Sequence, residues 1–552
     1  MKIKICTLIL FISILSNVSF SQWANIYNYG IDSTDNPNAM AIDQFGYTYV
    51  VGSSFSTNQE SNYILIKYNL SGDTVWTRQY NGNISGEDYA NSVSIDNQSN
   101  VIVTGASESI TGYDILTLKY NSSGSLLWEK RYNGLGSGNN IAFFSTTDDS
   151  LNVYISGKIQ ISTNVTAIST IKYNKDGVQQ WIKQFNGNST GNNIPNALAV
   201  NKNTGNIYIT GYISTLNQGK DIVILKYNRN GSLMWQKTIN GLYNGDDVAN
   251  AITIDSSENV YISGYITTGA NNNVDFITAK YSTSGDSIWV KYYSGAGGGA
   301  DISRAITVDN QGNCYVTGES FAGVGLVNYE IVTICYSSSG LQKWISHYNK
   351  NNNCCIHKSI SLASDNNGNI IAGGSSTGDN NFNDFIVLKY NVINGNQNGI
   401  YRYRFPGTNN NDVKAMATYN SGNCYLTGII SSNGALNIGT LKISNSSIGI
   451  RNTSENIQSV KFTLVNYPNP FNPSTIIKFT VSENGKLKIE NSLVTLKIFN
   501  VLGKEVATLI NDKLHSGLYE IKFDGSLLPS GIYFCKLISN NFTDTKKIIL
   551  LK

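Results

Sequence analysis

Charge is scarce in this chain: only 14% of its 552 residues are Asp, Glu, Lys or Arg. Gly, Asn, Ser, Thr and Tyr take its place, a polar mix that suits short strands with many turns and does not suit a helical protein. Histidine is rarer still. His347, His357 and His515 adjoin no Gly-x-Ser-x-Gly signature and form no His-x-x-x-His or His-Glu pair, which argues against serine-hydrolase and zinc-hydrolase chemistry. Beyond the N-terminus no stretch approaches the roughly 18 consecutive apolar residues of a membrane-spanning helix. A basic stripe is missing too. Two of the 40 basic residues precede Gln22 and 13 lie in Arg451–Lys552, leaving 25 against 29 acidic residues between them, a balance of about −4. Nucleic acid calls for the opposite sign. The C-terminal segment, with 13 basic and 8 acidic residues, is mildly positive and reads as a separate module. Disorder is disfavoured, because 41% of the chain is hydrophobic and regularly alternating.

At the N-terminus Lys2 and Lys4 precede the apolar run Thr7 to Leu15, and Ser19-Phe20-Ser21 offers small residues where a signal peptidase reads them. Residues 1–21 are therefore expected to be a secretory signal, cleaved before Gln22. The mature chain holds six cysteines: Cys314, Cys335, Cys354, Cys355, Cys424 and Cys535. An even number in an exported chain permits disulfides. Cys314 and Cys335 fall on neighbouring strand-like segments at roughly facing positions and are the expected pair. Cys354-Cys355 is read as a loop with incidental thiols, since adjacent cysteines point apart and no second ligand pair exists.

The dominant positive feature is a ruler. Trp23, Trp76, Trp128, Trp181, Trp235, Trp289 and Trp344 are spaced by 53, 52, 53, 54, 54 and 55 residues, and Tyr-Arg-Tyr-Arg-Phe takes the tryptophan slot at Tyr401, 57 residues on. A fixed period in that range means a repeat architecture. Aligned on tryptophan, each unit shows four strand-like segments. The first carries small residues, as in Asn250-Ala-Ile-Thr-Ile-Asp255. The second ends in glycine, as in Tyr208-Ile-Thr-Gly211, which marks a bulge or close backbone approach. The third ends in Lys-Tyr, as in Ile222-Val-Ile-Leu-Lys-Tyr227, and the fourth holds the tryptophan.

Four short antiparallel strands repeated around a ring predict an all-β fold, a β-propeller. The chain begins on a tryptophan strand with no preceding partners and ends its repeats at Leu441-Lys-Ile443, a third strand with no fourth. The two fragments complete each other. Counting Tyr-x-x-Gly segments gives eight blades, with seven as the runner-up. A tryptophan at a constant strand position reads as packing between adjacent sheets rather than as a sugar platform. In each Lys-Tyr pair, one residue is expected to pack and the other to snorkel toward solvent.

Short turns such as Asp309-Asn-Gln-Gly-Asn313 and Tyr120-Asn-Ser-Ser-Gly124 repeat because Asp and Asn bond backbone amides and Gly takes positive φ. The connections from second to third strand, and from fourth strand to the next unit, vary and gather on the opposite face. Variable loops on a rigid ring are where recognition resides. Asp88, Asn139, Asn217, Asp247, Asn272, Asp301 and Asp412 are the candidate binding residues there. Calcium could use such aspartates, but no loop has the dense alternating oxygen spacing of a dedicated site, and turn capping is preferred. No catalytic residue, cofactor or metal is assigned. Paired carboxylates meeting in the central channel are the one enzymatic alternative.

The units resemble bacterial β-propeller repeats of the SBBP type, with Asp309-Asn-Gln-Gly-Asn-Cys-Tyr-Val-Thr-Gly318 the best copy of their signature. That family supports fold far more than function. The last segment opens on Asn466-Tyr-Pro-Asn-Pro-Phe-Asn-Pro-Ser-Thr-Ile476. It continues through Val494-Thr-Leu-Lys-Ile-Phe-Asn-Val-Leu-Gly503, Gly517-Leu-Tyr-Glu520 and Leu528-Pro-Ser-Gly-Ile-Tyr-Phe534 to Lys552. These blocks look like the C-terminal (Por) sorting domain of type IX secretion cargo, a small immunoglobulin-like β-sandwich. On that resemblance Pro468, Asn469, Pro470, Phe471, Gly503, Gly517, Gly531, Tyr533 and Lys552 are the sorting motif. The resemblance implies passage across the periplasm and through an outer-membrane translocon, then release or attachment to surface lipopolysaccharide. An ordinary fibronectin-like accessory domain is the plainer alternative.

The expected layout is signal 1–21, propeller 22–444, linker 445–463 and sorting domain 464–552. The expected role is a secreted or surface-bound binding or adhesion scaffold for a glycan or other polar polymer, contacting no nucleic acid and spanning no membrane. A channel hydrolase or lyase, or a purely structural surface role, stands behind it.

Overall fold

The computed structural model describes residues 22–552 apart from 29–33, 56–59, 83, 85, 135–137, 188–190, 216–218, 270–272, 324–327, 350–354, 366, 379–380, 420–421, 433, 449, 453–463, 468, 482–491, 515–516 and 540–541. The signal segment, Asn217, Asn272 and Pro468 lie outside the described residues.

Each repeat unit folds as four antiparallel strands in chain order. In the second unit they are Asp88–Ile95, Val101–Ser109, Gly112–Tyr120 and Leu126–Tyr132. The two middle strands are buried along most of their length, because neighbouring units cover both faces. Such strands read as continuous apolar runs rather than as alternation. The first strand carries one extra residue, Asn91, between the paired Ala90 and Ser92. The same bulge sets apart Asn38, Asn196 and Asn250 in other units. It pushes a carbonyl toward the second strand, where a Cβ on Gly105 would sit 2.0 Å from Tyr89 O. The glycine of Tyr-x-x-Gly is thus the partner of the bulge.

First strands pack against first strands on either side, and the last, Asn411–Tyr419, packs against the first, Asp35–Ile42. The ring therefore closes. Its fastening is the N-terminal strand: Trp23–Tyr27 pairs antiparallel with Ala435–Ile443 and becomes the outer strand of the sheet that contains Asn411–Tyr419 and Asn423–Ser432. Units six and seven also touch edge to edge, through the parallel pairs Asn328 with Cys355 and Tyr329 with Ile356. This is the arrangement of a β-propeller.

One contact recurs at the junctions. Trp235 Nε1 donates to Thr283 O at 3.0 Å, and Lys226 Nζ of the same unit donates to that oxygen at 2.9 Å. Trp181 and Lys172 share Arg229 O in the same way, at 3.1 and 3.0 Å. At the closure Trp23 and Lys442 share Leu70 O, at 3.1 and 3.4 Å. The accepting carbonyl in these junctions belongs to the Tyr-Asn-x-x-Gly turn of the following unit or its Ser variant. Its glycine, with positive φ, lies flat against the tryptophan. A Cβ on Gly285 would be 2.8 Å from Trp235 Cδ2.

The tryptophans are therefore packing groups, as read from the sequence, and they are hydrogen-bond donors as well. The lysines are not as expected. They are buried with their tyrosines and do not snorkel, Lys119 being 1% exposed and Tyr120 6%. Nor does Tyr401 fill the tryptophan slot of the seventh unit. Strand register places Gly399 opposite Lys389, where other units set tryptophan opposite lysine, as in Lys226 opposite Trp235, or opposite Cys335 in the sixth.

After the ring come two four-stranded sheets around a shared core. One is ordered Ile450–Asn452, Gly517–Asp524, Ser474–Val481, Leu464–Tyr467. The other is ordered Glu505–Leu514, Ser492–Asn500, Gly531–Ser539, Phe542–Leu550. Ile477, Phe479, Leu496, Ile498, Leu537 and Ile548 fill the space between them.

The Gly285→Ala variant should lose about 1–3 kcal/mol by urea unfolding, because it strains a left-handed residue and presses on an indole. Gly434→Ala is the comparison: φ there is also positive, at +89°, but nothing lies within 4 Å of the added carbon. The junction contact is refuted if the two variants unfold at the same midpoint.

Candidate functional site

The irregular connections leave the ring at one end, and a brace holds each of them. Asp247, 0% exposed, accepts from Thr267 N at 2.7 Å through one oxygen and from Gly241 N through the other. It thereby ties the incoming loop to the second strand of its own unit. Asp301 does the same with Gly295 N at 2.6 Å and Phe321 N at 3.1 Å. Asp88 accepts from Gly82 N at 2.6 Å. Asn140 fills the equivalent place, donating to Asn133 O and accepting from Gln160 N. Burial pushes the carboxyls of Asp88, Asp247 and Asp301 up, and the hydrogen bonds they accept pull them back. These candidates thus sit beneath the loops and shape them. Asn139 is exposed and accepts from Tyr113 N at 3.2 Å. Asp412, half-buried, accepts from Asn383 Nδ2 at 2.8 Å.

At the same end, two positions that should repeat do not. The bulged residue of the first strand is Asn in four units, Phe143, Ile360 and Lys414 in the third, seventh and last, and Arg304 in the sixth. The residue after the strand glycine is small in three units, Lys158 in the third and Ile429 in the last, and Tyr212, Tyr265 and Glu319 in the fourth to sixth. The departures of the fourth to sixth units converge. Lys220 Nζ meets Asp246 Oδ2 at 2.5 Å and lies 5.2 Å from the centre of the Tyr212 ring. Arg304 Nη2 meets Glu319 Oε1 at 2.5 Å. Tyr265 feels the charges of Lys220, Asp246 and Arg304. Burial raises both phenols above their ordinary range, and Lys220 draws them back. Two tyrosine rings flanked by partly exposed donor and acceptor pairs form a surface that can stack on a flat apolar face and bond hydroxyl groups at its edge.

Elsewhere the bulge asparagines are occupied. Asn38 Nδ2 donates to Ala90 O at 2.8 Å and Asn250 Nδ2 to Ser303 O at 2.8 Å, tying neighbouring first strands together around the axis. Among the described residues the first strands carry four carboxylates: Asp35, Asp88, Asp301 and Asp412. Asp35 accepts from Ser54 Oγ at 2.6 Å, so each of them is engaged near the loop end. No group of three His, Cys, Asp or Glu side chains that could hold a metal occurs among the described residues.

Cys314 and Cys335 are free thiols. Register pairs Cys314 with Tyr336 and Cys335 with Tyr315. That one-residue offset sends the two side chains to opposite faces of the sheet, Cys314 into the core beside Trp289 and Cys335 into the core beside Trp344. The expected disulfide is therefore not formed.

The motif residues of the C-terminal unit hold its chain ends together. Asn469, joined to Pro470 by a cis peptide bond, accepts from Ile549 N at 2.9 Å. Phe471, 2% exposed, exchanges backbone bonds with Ile549 and Leu551. Gly503 closes a turn at positive φ on Asn500, Gly517 opens a strand and Gly531 another. Tyr533 Oη donates to Pro529 O at 2.7 Å, and Lys552 Nζ to Ser526 O at 2.6 Å. Residues 465–551 match the model of a secretion system C-terminal sorting domain, and residues 288–320 match that of a β-propeller repeat. This chain carries a type IX sorting domain behind a β-propeller.

The sorting domain marks the chain for export by type IX secretion to the cell surface or extracellular space. Among the described residues no helix is long and apolar enough to cross a membrane. An uncharacterized WD repeat-containing protein of Acanthamoeba polyphaga mimivirus is 24% identical over 223 residues, which is 37% of this chain and 14% of that protein. Among solved structures, the polysaccharide lyase Uly1 aligns with a TM-score of 0.43 and 11% identity, covering 76% of this chain and 92% of the lyase. The C-terminal domain of Pseudomonas aeruginosa PilY1 aligns with a TM-score of 0.29 and 11% identity, covering 77% of this chain and 89% of that domain. Neither likeness bears on what the propeller binds.

The brace yields a test with a definite sign. A carboxyl raised by burial favours the fold while protonated, and that contribution is lost as pH climbs through its folded pKa. Asp247→Asn removes this titration and should flatten the fall of the melting temperature with rising pH, while leaving one of the two backbone donors without its acceptor at neutral pH. Asp247→Ala, which orphans two backbone donors, should cost about 1–3 kcal/mol. Equal stability of the two variants would show that Asp247 braces nothing.

Proposed function

We propose that the mature protein is an eight-bladed propeller spanning residues 22–444. Residues 445–463 link it to an immunoglobulin-like sandwich at 464–552, by which type IX secretion delivers it. At its destination it acts as a binding or adhesion scaffold for a glycan or other polar surface polymer. The closed succession of first strands and the N-terminal outer strand support the blade count. The binding reading rests on one observation, the convergence of Tyr212, Tyr265 and the ion pairs Lys220–Asp246 and Arg304–Glu319 at the loop-bearing end. In several other units those columns hold packing or tying residues; Lys158 and Lys414 also put charge there, but the fourth to sixth units set two rings beside two ion pairs in neighbouring positions, and that grouping asks for a partner. A channel hydrolase would need two unencumbered carboxylates, and those of the first strands are engaged near the loops.

Binding of the full-length protein to a glycan array should fall about two- to tenfold for each ring removed in Tyr212→Ala and Tyr265→Ala, since an aromatic contact contributes about 0.5–1.5 kcal/mol. Unchanged binding by the double variant would sink the site. Turnover of a polysaccharide panel would replace the scaffold with an enzyme.

Deleting Leu464–Lys552 should leave the propeller in the periplasm, as tracked by fractionation and surface protease accessibility. Surface delivery without those residues would refute the sorting role.

A further inference from the structure

The junction contact loses its tryptophan and its turn together at one place, and the loss stems from how the ring is closed. Because the last sheet borrows its outer strand from the N-terminus, no Tyr-Asn-x-x-Gly turn follows its third strand, Ala435–Ile443. The chain instead runs from Ser444 into one helical turn, Asn445–Ile448. Lys389 of the seventh unit, lacking a turn carbonyl, donates to Asn445 Oδ1 at 2.6 Å. Asn445 in turn donates from its own N–H to Asn423 Oδ1 at 3.0 Å. Ile448 is fully buried in the core shared by the seventh and last sheets.

A tryptophan opposite Lys389 would find neither the carbonyl nor the glycine that hold its counterparts. Gly399 stands there. A cavity of about 320 Å³ remains, lined by Gln397 to Ile400 on the ring side and by Ile476 and Glu520 to Lys522 of the sorting domain. The outer strand Gln397–Tyr403 is buried from Gly399 through Arg402, whereas its counterpart Leu126–Tyr132 shows no fully buried residue. Two further links cross the same seam. Ile450–Asn452 leaves the helical turn to pair with Gly517–Asp524 of the sorting domain, lying against Gln397–Tyr403. Ser444 Oγ donates to Asp512 Oδ2 at 2.6 Å, with both residues buried.

We infer that the closure seam of the propeller, with glycine at position 399, is a docking seat for this chain's own sorting domain, so that the two move as one body. The occupant is settled by what lies on the seat: the helical turn, the bridging strand and the Ile476–Lys522 surface. A ring closed by an N-terminal strand needs something to cover the missing turn, and the chain that leaves this point is the nearest material.

The test uses the full-length protein with Ile476→Asp, at a position 40% exposed, and separately Asp512→Lys, which sets a cation beside Lys442. Either variant should raise the radius of gyration in small-angle scattering and speed amide exchange in Gln397–Tyr403 by about tenfold. Exchange in Leu233–Ile239, an outer strand far from the seam, should not change, which would show the ring intact. The inference falls if wild-type Gln397–Tyr403 exchanges as fast as Leu233–Ile239, or if both variants leave scattering and exchange as they were.

Discussion

A single turn carbonyl, gripped from the preceding unit by an indole N–H and an ammonium, is the contact on which the propeller depends. A carbonyl oxygen has two lone pairs, and here both are used. Trp181 and Lys172 bind Arg229 O at 3.1 and 3.0 Å. The lysine can be buried only because its charge is answered: Lys119 Nζ lies 2.9 Å from Asp96 Oδ2, and both side chains are nearly inaccessible. Removing one member of such a pair leaves an uncompensated charge, at a cost of about 3–5 kcal/mol. A buried lysine therefore keeps an answering acceptor, whereas in the sixth unit Cys335 replaces the lysine and Trp344 holds Val392 O alone, at 2.9 Å. The fourth unit replaces the acceptor. Asn201 stands where other units have the turn aspartate, and Glu258 reaches across from the fifth unit to accept from Tyr208 Oη at 2.6 Å and face Lys226 at 3.6 Å. Burial would raise that carboxyl, but hydrogen bonds from Tyr208, Asn206 and Thr204 outweigh it and hold it below the usual range.

Period, strand order and closure were legible because each is written in local or periodic terms. The tryptophan interval fixes the unit, the Tyr-x-x-Gly column fixes the second strand, and the phase of the two ends fixes the fastening. Three misreadings share one cause. One residue of each Lys-Tyr pair is expected to snorkel because successive strand residues face opposite ways, yet a middle strand sandwiched between sheets has no outward face, and Lys119 and Tyr120 are both buried. Tyr401 looked like the missing tryptophan because it is aromatic. Register puts Gly399 in that place, 55 residues after Trp344 and in step with the ruler. Cys314 and Cys335 looked opposed at a resolution of one residue, and one residue is the difference between two faces. Sequence similarity aligns repeats well enough to count them, but not to assign a face at every position.

The candidate site was legible in place and not in composition. Asp88, Asp247 and Asp301 stand out because they recur, and recurrence in a ring signals something every junction needs, here a brace for the loop above. Tyr212, Tyr265, Arg304 and Glu319 carry the opposite signature. They occupy columns filled in several other units by small or amide side chains and break them in three neighbouring units. The signal was present in the aligned repeats, as a departure from pattern rather than as a motif.

A ring whose junctions are all alike cannot by itself present a unique surface, so specificity has to enter where symmetry is broken. The braces let it enter cheaply. Because Asp247 anchors both the incoming loop and the second strand through backbone amides, residues such as Leu242, 96% exposed, can change without disturbing the carbonyl contact at the far end of the strands. The seam breaks symmetry in another way. Borrowing the last outer strand from the N-terminus removes one turn, and with that turn goes the reason for a tryptophan at position 399. Glycine in its stead leaves an apolar hollow beside the point where the chain departs from the ring. The asymmetry that closes the propeller and the place where the sorting domain rests are thus consequences of the same topological choice.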